Sequence, residues 1–429
     1  MSPRSPTTGL ARALRRALKL LARPAAGARG PGGIVVRPYR GFGTAEEGFL
    51  IGRVYWQPTP HSDPHDGTLR RALQDLWRLL RRHGIADAAV LARFAGAEQR
   101  VATDRDGYFH LHLRPSRRPP VDRLWHPVGI ELVTPATVRA EGELFIPPPT
   151  CRYVVISDID DTIMETGVAN KLTMLRRLFM QRAESRVAFP GVAAFLDALH
   201  GGASGGDRNP MLYVSRAPWS IYEVLEEFFN LHRIPTGPVL FLREWGLTLQ
   251  RPLPRRGKSH KLDLIRRMLA LYRDLPFVLL GDSGQRDPEI YARVVRENPG
   301  RVLAIYIRNV SRDPERQRAI EALAAEVAGA GSTLLLAADS RAKAEHAAAH
   351  GLIRREACAA VAREREREAA AEGEAEAEAQ PVREVVRATP EETRAAVERG
   401  RLREALEPEA GEATPPNVVI EPEEGDARR

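Results

Sequence analysis

Residues 154–162 read Val-Val-Ile-Ser-Asp-Ile-Asp-Asp-Thr, an apolar run that ends in Asp158, Asp160 and Asp161. A short continuous apolar segment of this kind predicts a buried strand. Side chains leave a strand with period two, so Asp158 and Asp160 emerge on one side, where two carboxylates repel unless they share a cation. Ligands that are all oxygen suit a hard ion such as Mg2+, and a desolvated carboxylate beside such an ion can attack phosphorus. An isolated Asp-x-Asp would more simply cap a helix or solvate a loop, and the rest of the chain argues against that reading.

Met211-Leu-Tyr-Val-Ser215 is a second apolar strand ending in a hydroxyl, followed by Arg216, Pro218 and a helical pattern through Asn230. Free N–H groups at a helix start, next to a serine, are a seat for phosphate, with Pro218 suited to the first turn. Phe277-Val-Leu-Leu-Gly281 is a third such strand, and it runs into Asp282 and Asp287. In an open parallel sheet the site lies outside the carboxyl ends of the strands, so Asp158, Ser215 and Asp282 are expected at one crevice. Lys261 opens an amphipathic helix just before the third strand and is placed to neutralise phosphoryl charge, with Lys258 the competing candidate.

These four segments, in this order, resemble the haloacid dehalogenase superfamily of phosphotransferases, whose first motif Asp-x-Asp-x-Thr is matched by Asp158, Asp160 and Thr162. Asp158 to Ile163, Tyr213 to Trp219 and Gly281 to Tyr291 are similar, within it, to the actin-patch-type phosphatidate phosphatases; the likeness spans roughly residues 34–355. The resemblance implies an α/β fold with a doubly wound parallel sheet. It also implies an Mg2+-dependent phosphatase, with phosphatidate to diacylglycerol as the first substrate expectation. Asp158 would be the nucleophile and a metal ligand, and Asp160 the general acid and base, also counted among the metal ligands. Thr162 and Ser215 would hold the motif and a phosphoryl oxygen, Lys261 would pair with Asp158 and the phosphate, and Asp282 would complete the metal shell. Asp287 would be a further or alternate ligand, Arg216 and Arg243 phosphate or headgroup contacts, and Asp161 a residue that orders the loop. The alternatives are a phosphatase of another phosphomonoester, or a phosphatidate-binding membrane module without turnover.

The chain has 429 residues and a formal charge of +8. Its expected divisions are a basic arm (1–33), a small mainly β, sandwich-like domain (34–148), the catalytic domain (149–355) and an Ala/Glu/Arg-rich tail (356–429). Cys151 and Cys358 are the two cysteines, in no metal spacing, which suits a reducing compartment such as the cytoplasm. No apolar run approaches the roughly 20 residues of a spanning helix, so membrane contact is expected to be peripheral. The first 45 residues hold nine Arg or Lys and no acid. Leu10, Leu14, Ala17, Leu18 and Leu21 share one helical face there, the pattern of an arm that lies on an anionic bilayer, with a solvated arm as the other reading. Nucleic acid is disfavoured, because the arm has no aromatic residue and the chain no recognition module.

In the β-rich part, strands are expected at 34–39, 49–56, 88–94, 108–113 and 128–133, with a helix from Leu69 to Arg82 between them. Asp104-Arg-Asp106-Gly107 reads as a hairpin turn rather than a calcium loop. His61, His65, His110 and His112 lack a third metal ligand and read as surface or partly buried residues. Lys171 to Met180 is apolar on one side and basic on the other, placed where relatives carry a small cap, although its apolar side also suits simple packing on the core. Further strands are expected at 239–242, 302–307 and 333–337, then a helix that Gly351 stops. From about Ala359 the composition predicts a solvated helix or a disordered tail without a core.

Overall fold

The computed structural model describes residues 28–57, 83–160, 162–163, 189–215, 222–241, 260–311 and 313–379. Outside them lie the basic arm's Leu10 to Leu21, the 69–82 helix, His61 and His65, Asp161, the 171–180 segment, Arg216, Arg243, Lys258 and the tail beyond 379. The chain divides into a unit ending at Ala369 and a second one beginning at Ala370.

The β-rich part contains β1 (Ala28–Arg29), β2 (Ile34–Pro38), β3 (Gly41–Gly43), β4 (Gly48–Trp56), β5 (His83–Gly84), β6 (Ala89–Phe94), β7 (Ala97–Ala102), β8 (Tyr108–Leu113), β9 (Trp125–Thr134) and β10 (Val138–Phe145). Period-two burial explains it. Leu50 and Val54 of β4, Phe109, Leu111 and Leu113 of β8, and Val128, Ile130 and Leu132 of β9 turn inward into one core. The five expected strands are present within a residue or a few at their ends. β7 and β10 were not expected: β7 has few apolar residues, and β10 carries Arg139, Glu141 and Glu143 on its outer face.

The sandwich expectation needs a correction. All ten strands belong to one hydrogen-bonded sheet, in the order β1-β2-β4-β3-β10-β9-β6-β7 with β5 and β8 on β4, and β3 with β10 is a parallel pair. The side chain of Gln99 on β7 accepts from the His112 N–H of β8 at 2.9 Å, bridging the two edges where the sheet curls back on itself. Between β7 and β8 lies the expected turn, but it closes no hairpin, because β7 pairs with β6 and β8 with β4. Asp104 Oδ1 accepts from the N–H groups of Asp106 and Tyr108 at 2.9 and 2.8 Å, and Gly107 takes φ +81°.

The second part runs β11 (Val154–Asp158), α1 (Val192–Gly201), β12 (Met211–Ser215), α2 (Tyr222–Leu231), β13 (Val239–Phe241), α3 (His260–Leu271), β14 (Phe277–Asp282), α4 (Asp287–Glu297), β15 (Val302–Arg308), α5 (Pro314–Gly329), β16 (Thr333–Ala337), α6 (Ser340–Ala349) and α7 (Ala357–Ala379). Its six strands are parallel in the order β13-β12-β11-β14-β15-β16. Counted within this sheet the order is 3-2-1-4-5-6, reversing between β11 and β14. Strand side chains alternate between two cores. Val155, Tyr213, Leu280 and Tyr306 face α1, α2, α6 and α7, whereas Ile156, Val214, Leu279 and Ile305 face α3, α4 and α5. A sheet buried on both faces explains why its strands read as unbroken apolar runs.

The β-rich sheet packs on α2. Tyr39 packs against Tyr222 with ring centroids 4.5 Å apart and the rings tilted by 42°, and Arg40 N–H donates to the Tyr222 hydroxyl at 3.1 Å. Glu226 ion-pairs with buried Arg37 at 3.5 Å and with Arg40. The first turns of the Ala/Glu/Arg stretch depart from the composition reading. Val361 of α7 is fully buried in the core. Glu364 and Glu368, four residues apart, accept from the N–H groups of Ala194 and Gly191 at 2.6 and 2.7 Å, at the start of α1. Average composition hides one valine and two acids that share a face.

Candidate active site

β11 is buried throughout and delivers Asp158, 1% exposed, to the carboxyl end of the sheet beside the reversal in strand order. The chain then stays against β12, with Ile159 N–H donating to Val214 O at 3.0 Å, and turns so that Ile163 N–H reaches Ile159 O at 3.1 Å. Asp160 is partly exposed at this turn and Thr162 is buried. Ser215 is buried at the end of β12, one residue past Val214, the register partner of Asp158.

Lys261, the second residue of α3, buries its ammonium between two acids. Nζ lies 2.8 Å from Asp158 Oδ1 and 2.6 Å from Asp287 Oδ1. Burial drives the Asp158 carboxyl well above the usual carboxylate range; Lys261 opposes this, and Asp287 and Asp160 reinforce it. Burial also works against the Lys261 charge, but Asp158 and Asp287 outweigh it and hold the ammonium protonated well above the usual lysine range.

Asp282 ends β14 and Asp287 begins α4, both fully buried. Asp282 N–H donates to Asp287 Oδ2 at 3.4 Å. Gly281 is required by this approach, because a Cβ there would fall 2.3 Å from Asp287 Oδ2.

Gln285 was not anticipated. Its Nε2 donates to Asp282 Oδ2 at 2.9 Å, Asp158 Oδ2 at 3.3 Å and the Asp160 carbonyl at 3.4 Å, and its backbone N–H donates to Asp282 Oδ1 at 2.8 Å. Three oxygens thus converge on one nitrogen. Asp158 divides its carboxylate, with Oδ1 toward Lys261 and Oδ2 toward this point. Arg316 of α5 holds the same loop, donating to the Ser283 and Gln285 carbonyls at 2.8 and 2.6 Å and pairing with Glu289. Its separation of 33 residues from Ser283 left no local signal.

The donor set fits a hard cation. Asp158, Asp282 and Asp287 each offer an oxygen, all within 4.8 Å of one another, and the Gln285 amide marks a point that oxygens already surround. Oxygen-only coordination of this kind takes Mg2+, Ca2+ or Mn2+ rather than a thiolate-loving metal.

An α/β crevice with buried acids, a shared lysine and a place for a metal defines a class of site, and similarity to known proteins narrows it. Residues 153–309 match the family model described as the catalytic domain of phosphatidate phosphatase APP1. The phosphatidate phosphatase APP1 of Saccharomyces cerevisiae is 32% identical over 186 residues, which cover 42% of this chain and 30% of that protein. An uncharacterized protein of Schizosaccharomyces pombe is also 32% identical, over 168 residues that cover 37% of this chain and 25% of that protein. Residues 153–309 are thus similar to the catalytic domain of the actin-patch-type phosphatidate phosphatases. The chain spans less than a third of the length of these curated relatives. Among solved structures, a carbohydrate acetylesterase from Xanthomonas citri aligns at 11% identity with a TM-score of 0.22, over 67% of this chain and 71% of that one, a similarity that carries no argument.

Proposed function

We propose that this chain is an Mg2+-dependent phosphatase of the haloacid dehalogenase type that converts phosphatidate to diacylglycerol and phosphate. The observation that carries the reading is the buried Asp158–Lys261–Asp287 cluster beside Asp282. The similarity of residues 153–309 to the catalytic domain of a phosphatidate phosphatase supports the substrate class.

In this reading an Asp158 oxygen attacks phosphorus, a bond to phosphorus forms, and the P–O bond to the glycerol oxygen breaks. Asp160, partly open to solvent, gives its proton to the departing alkoxide. Water then attacks the aspartyl phosphate, passes its proton back to Asp160 and frees Asp158 and inorganic phosphate. Lys261 offsets charge on Asp158 and the phosphoryl oxygens, while Ser215 and Thr162 position them. Asp158, Asp282 and the Asp160 carbonyl would hold Mg2+, with Asp287 as a further carboxylate beside them. Bound there, the ion would supply electrostatic stabilisation of the phosphoryl oxygens. The enzyme would work in the cytoplasm, at the surface of an anionic membrane; among the described residues no helix is long and apolar enough to cross one.

The test is phosphate release from phosphatidate in mixed micelles, with Mg2+ or chelator, for the intact chain and for Asp158→Asn. Metal-dependent release that is lost in the variant is expected. Turnover of a small phosphomonoester alone would remove the lipid, and near-normal activity of Asp158→Asn would remove the mechanism.

A further inference from the structure

Lys343 lies in the first turn of α6 with 1% of its surface exposed, and among the described residues its ammonium makes no hydrogen bond or ion pair. An ammonium on so buried a residue, with Asp339 and Asp282 acting on it only from beyond ion-pair distance, is costly, so it calls for a partner that arrives from outside. Its surroundings specify the sign. In the sheet, Asp282 of β14 is the register partner of Arg308 on β15, and Arg308 is the register partner of Ala337 on β16, three residues before α6 begins. Strands about 4.8 Å apart place these ends side by side on the same edge as Asp158.

Arg308 is itself 9% exposed, with its guanidinium 3.3 Å from the centroid of Phe189. Ser340, at the same helix start, is fully buried, and its Oγ has no hydrogen-bond partner. Burial and, less strongly, Arg308 lower the Lys343 pKa, Asp339 and Asp282 oppose them, and the net value is about 7. Asp339 in turn caps α6 through Ala342 N–H and pairs with Arg365 at 3.4 Å.

A charge count gives the reason for a further cation here. Asp158, Asp282 and Asp287 against Lys261 leave two negative charges, which one divalent ion cancels; a phosphoryl dianion then arrives uncompensated. We infer that Lys343, with Arg308 and the Ser340 hydroxyl, is a second cationic seat that takes phosphoryl oxyanion charge on the Asp282 side of the crevice. The choice of a phosphoryl ligand rests on the function proposed above. Binding protonates Lys343, so the anion carries a proton into the site.

The experiment is calorimetric titration of the full chain with inorganic phosphate near pH 8, in two buffers of different ionisation enthalpy, which counts protons taken up. It is run on wild type, Lys343→Met and Asp158→Asn, and repeated on Asp158→Asn with short-chain phosphatidate to separate the lipid headgroup from free phosphate. Wild type is expected to take up protons on binding. Lys343→Met should lose that uptake and at least about tenfold in affinity, while keeping or raising its melting temperature without phosphate. Uptake should persist in Asp158→Asn. No uptake in wild type with either ligand, unchanged uptake in Lys343→Met, or a marked fall in that variant's melting temperature would each overturn the seat. Failure of the function itself reads out separately, as no metal-dependent phosphate release by wild type.

Discussion

The Gln285 side-chain amide donates to Asp282 at 2.9 Å, and the Gln285 backbone N–H donates to the other oxygen of the same carboxylate at 2.8 Å. One residue therefore grips both oxygens of an acid assigned to the metal. The backbone grip can remain when a cation binds, whereas the side-chain nitrogen stands among oxygens that the cation needs. Gln285→Ala should bind Mg2+ more tightly, by roughly tenfold, about 1.4 kcal/mol. Calorimetric titration of metal into the full chain checks this, and weaker binding would mean that the amide assists the ligands.

Glu226 joins the β-rich sheet to α2 through Arg37 and Arg40, with Arg37 only 2% exposed. Removing one partner of a buried ion pair leaves the other charge stranded, at a cost of about 3 kcal/mol. Glu226→Ala should lower the denaturant midpoint accordingly, and Glu226→Gln, which keeps hydrogen bonds, should lower it less. Equal, negligible shifts would show that the pair contributes nothing to docking.

A chain ended at Ala370 should melt like the full protein, and one ended at Arg355 should not. The shorter chain loses buried Val361, worth about 2 kcal/mol, and two carboxylates at the start of α1, each about 0.5 kcal/mol. Circular dichroism melts of the two truncations separate them.

Lys343 also predicts a pH dependence. Its folded pKa of about 7 lies below the unfolded value of about 10.4, so between these limits the unfolded chain binds more protons and stability rises with pH. Below about pH 7 the whole penalty of the buried charge is present. Without phosphate, the denaturant midpoint of wild type should gain on that of Lys343→Met between about pH 7 and pH 9. A constant difference would place the amine in contact with water.

The strands that carry Asp158, Ser215 and Asp282 were legible because a parallel strand buried on both faces is an unbroken apolar run, and each run ends on its candidate site residue. β7 was not, since the edge sequence Ala97-Glu-Gln-Arg-Val-Ala102 buries little. Carboxylates in 282–287 stood out by charge, while Gln285 between them is neutral and acquires its role only when the loop folds over Asp158. Lys343 sits in Ser-Arg-Ala-Lys-Ala-Glu, which reads as a solvated helix start; only the return of α6 to the edge of the sheet buries it. Asp287, expected near the metal, lies where Lys261 reaches it, a pairing across 26 residues that spacing does not reveal.

Gln99 gives its side-chain carbonyl to a backbone amide of the neighbouring strand, at the seam where the ten-stranded sheet meets itself. An open strand edge is a template on which other chains can zip, and crowding at a surface raises that risk. With this amide already engaged, with Arg93, Glu98 and Glu131 linked by ion pairs nearby, and with the opposite end of the sheet only two residues long, the sheet offers a stranger little to extend. Among the described residues, the β-rich part thus guards its own strand edges against pairing with a second copy.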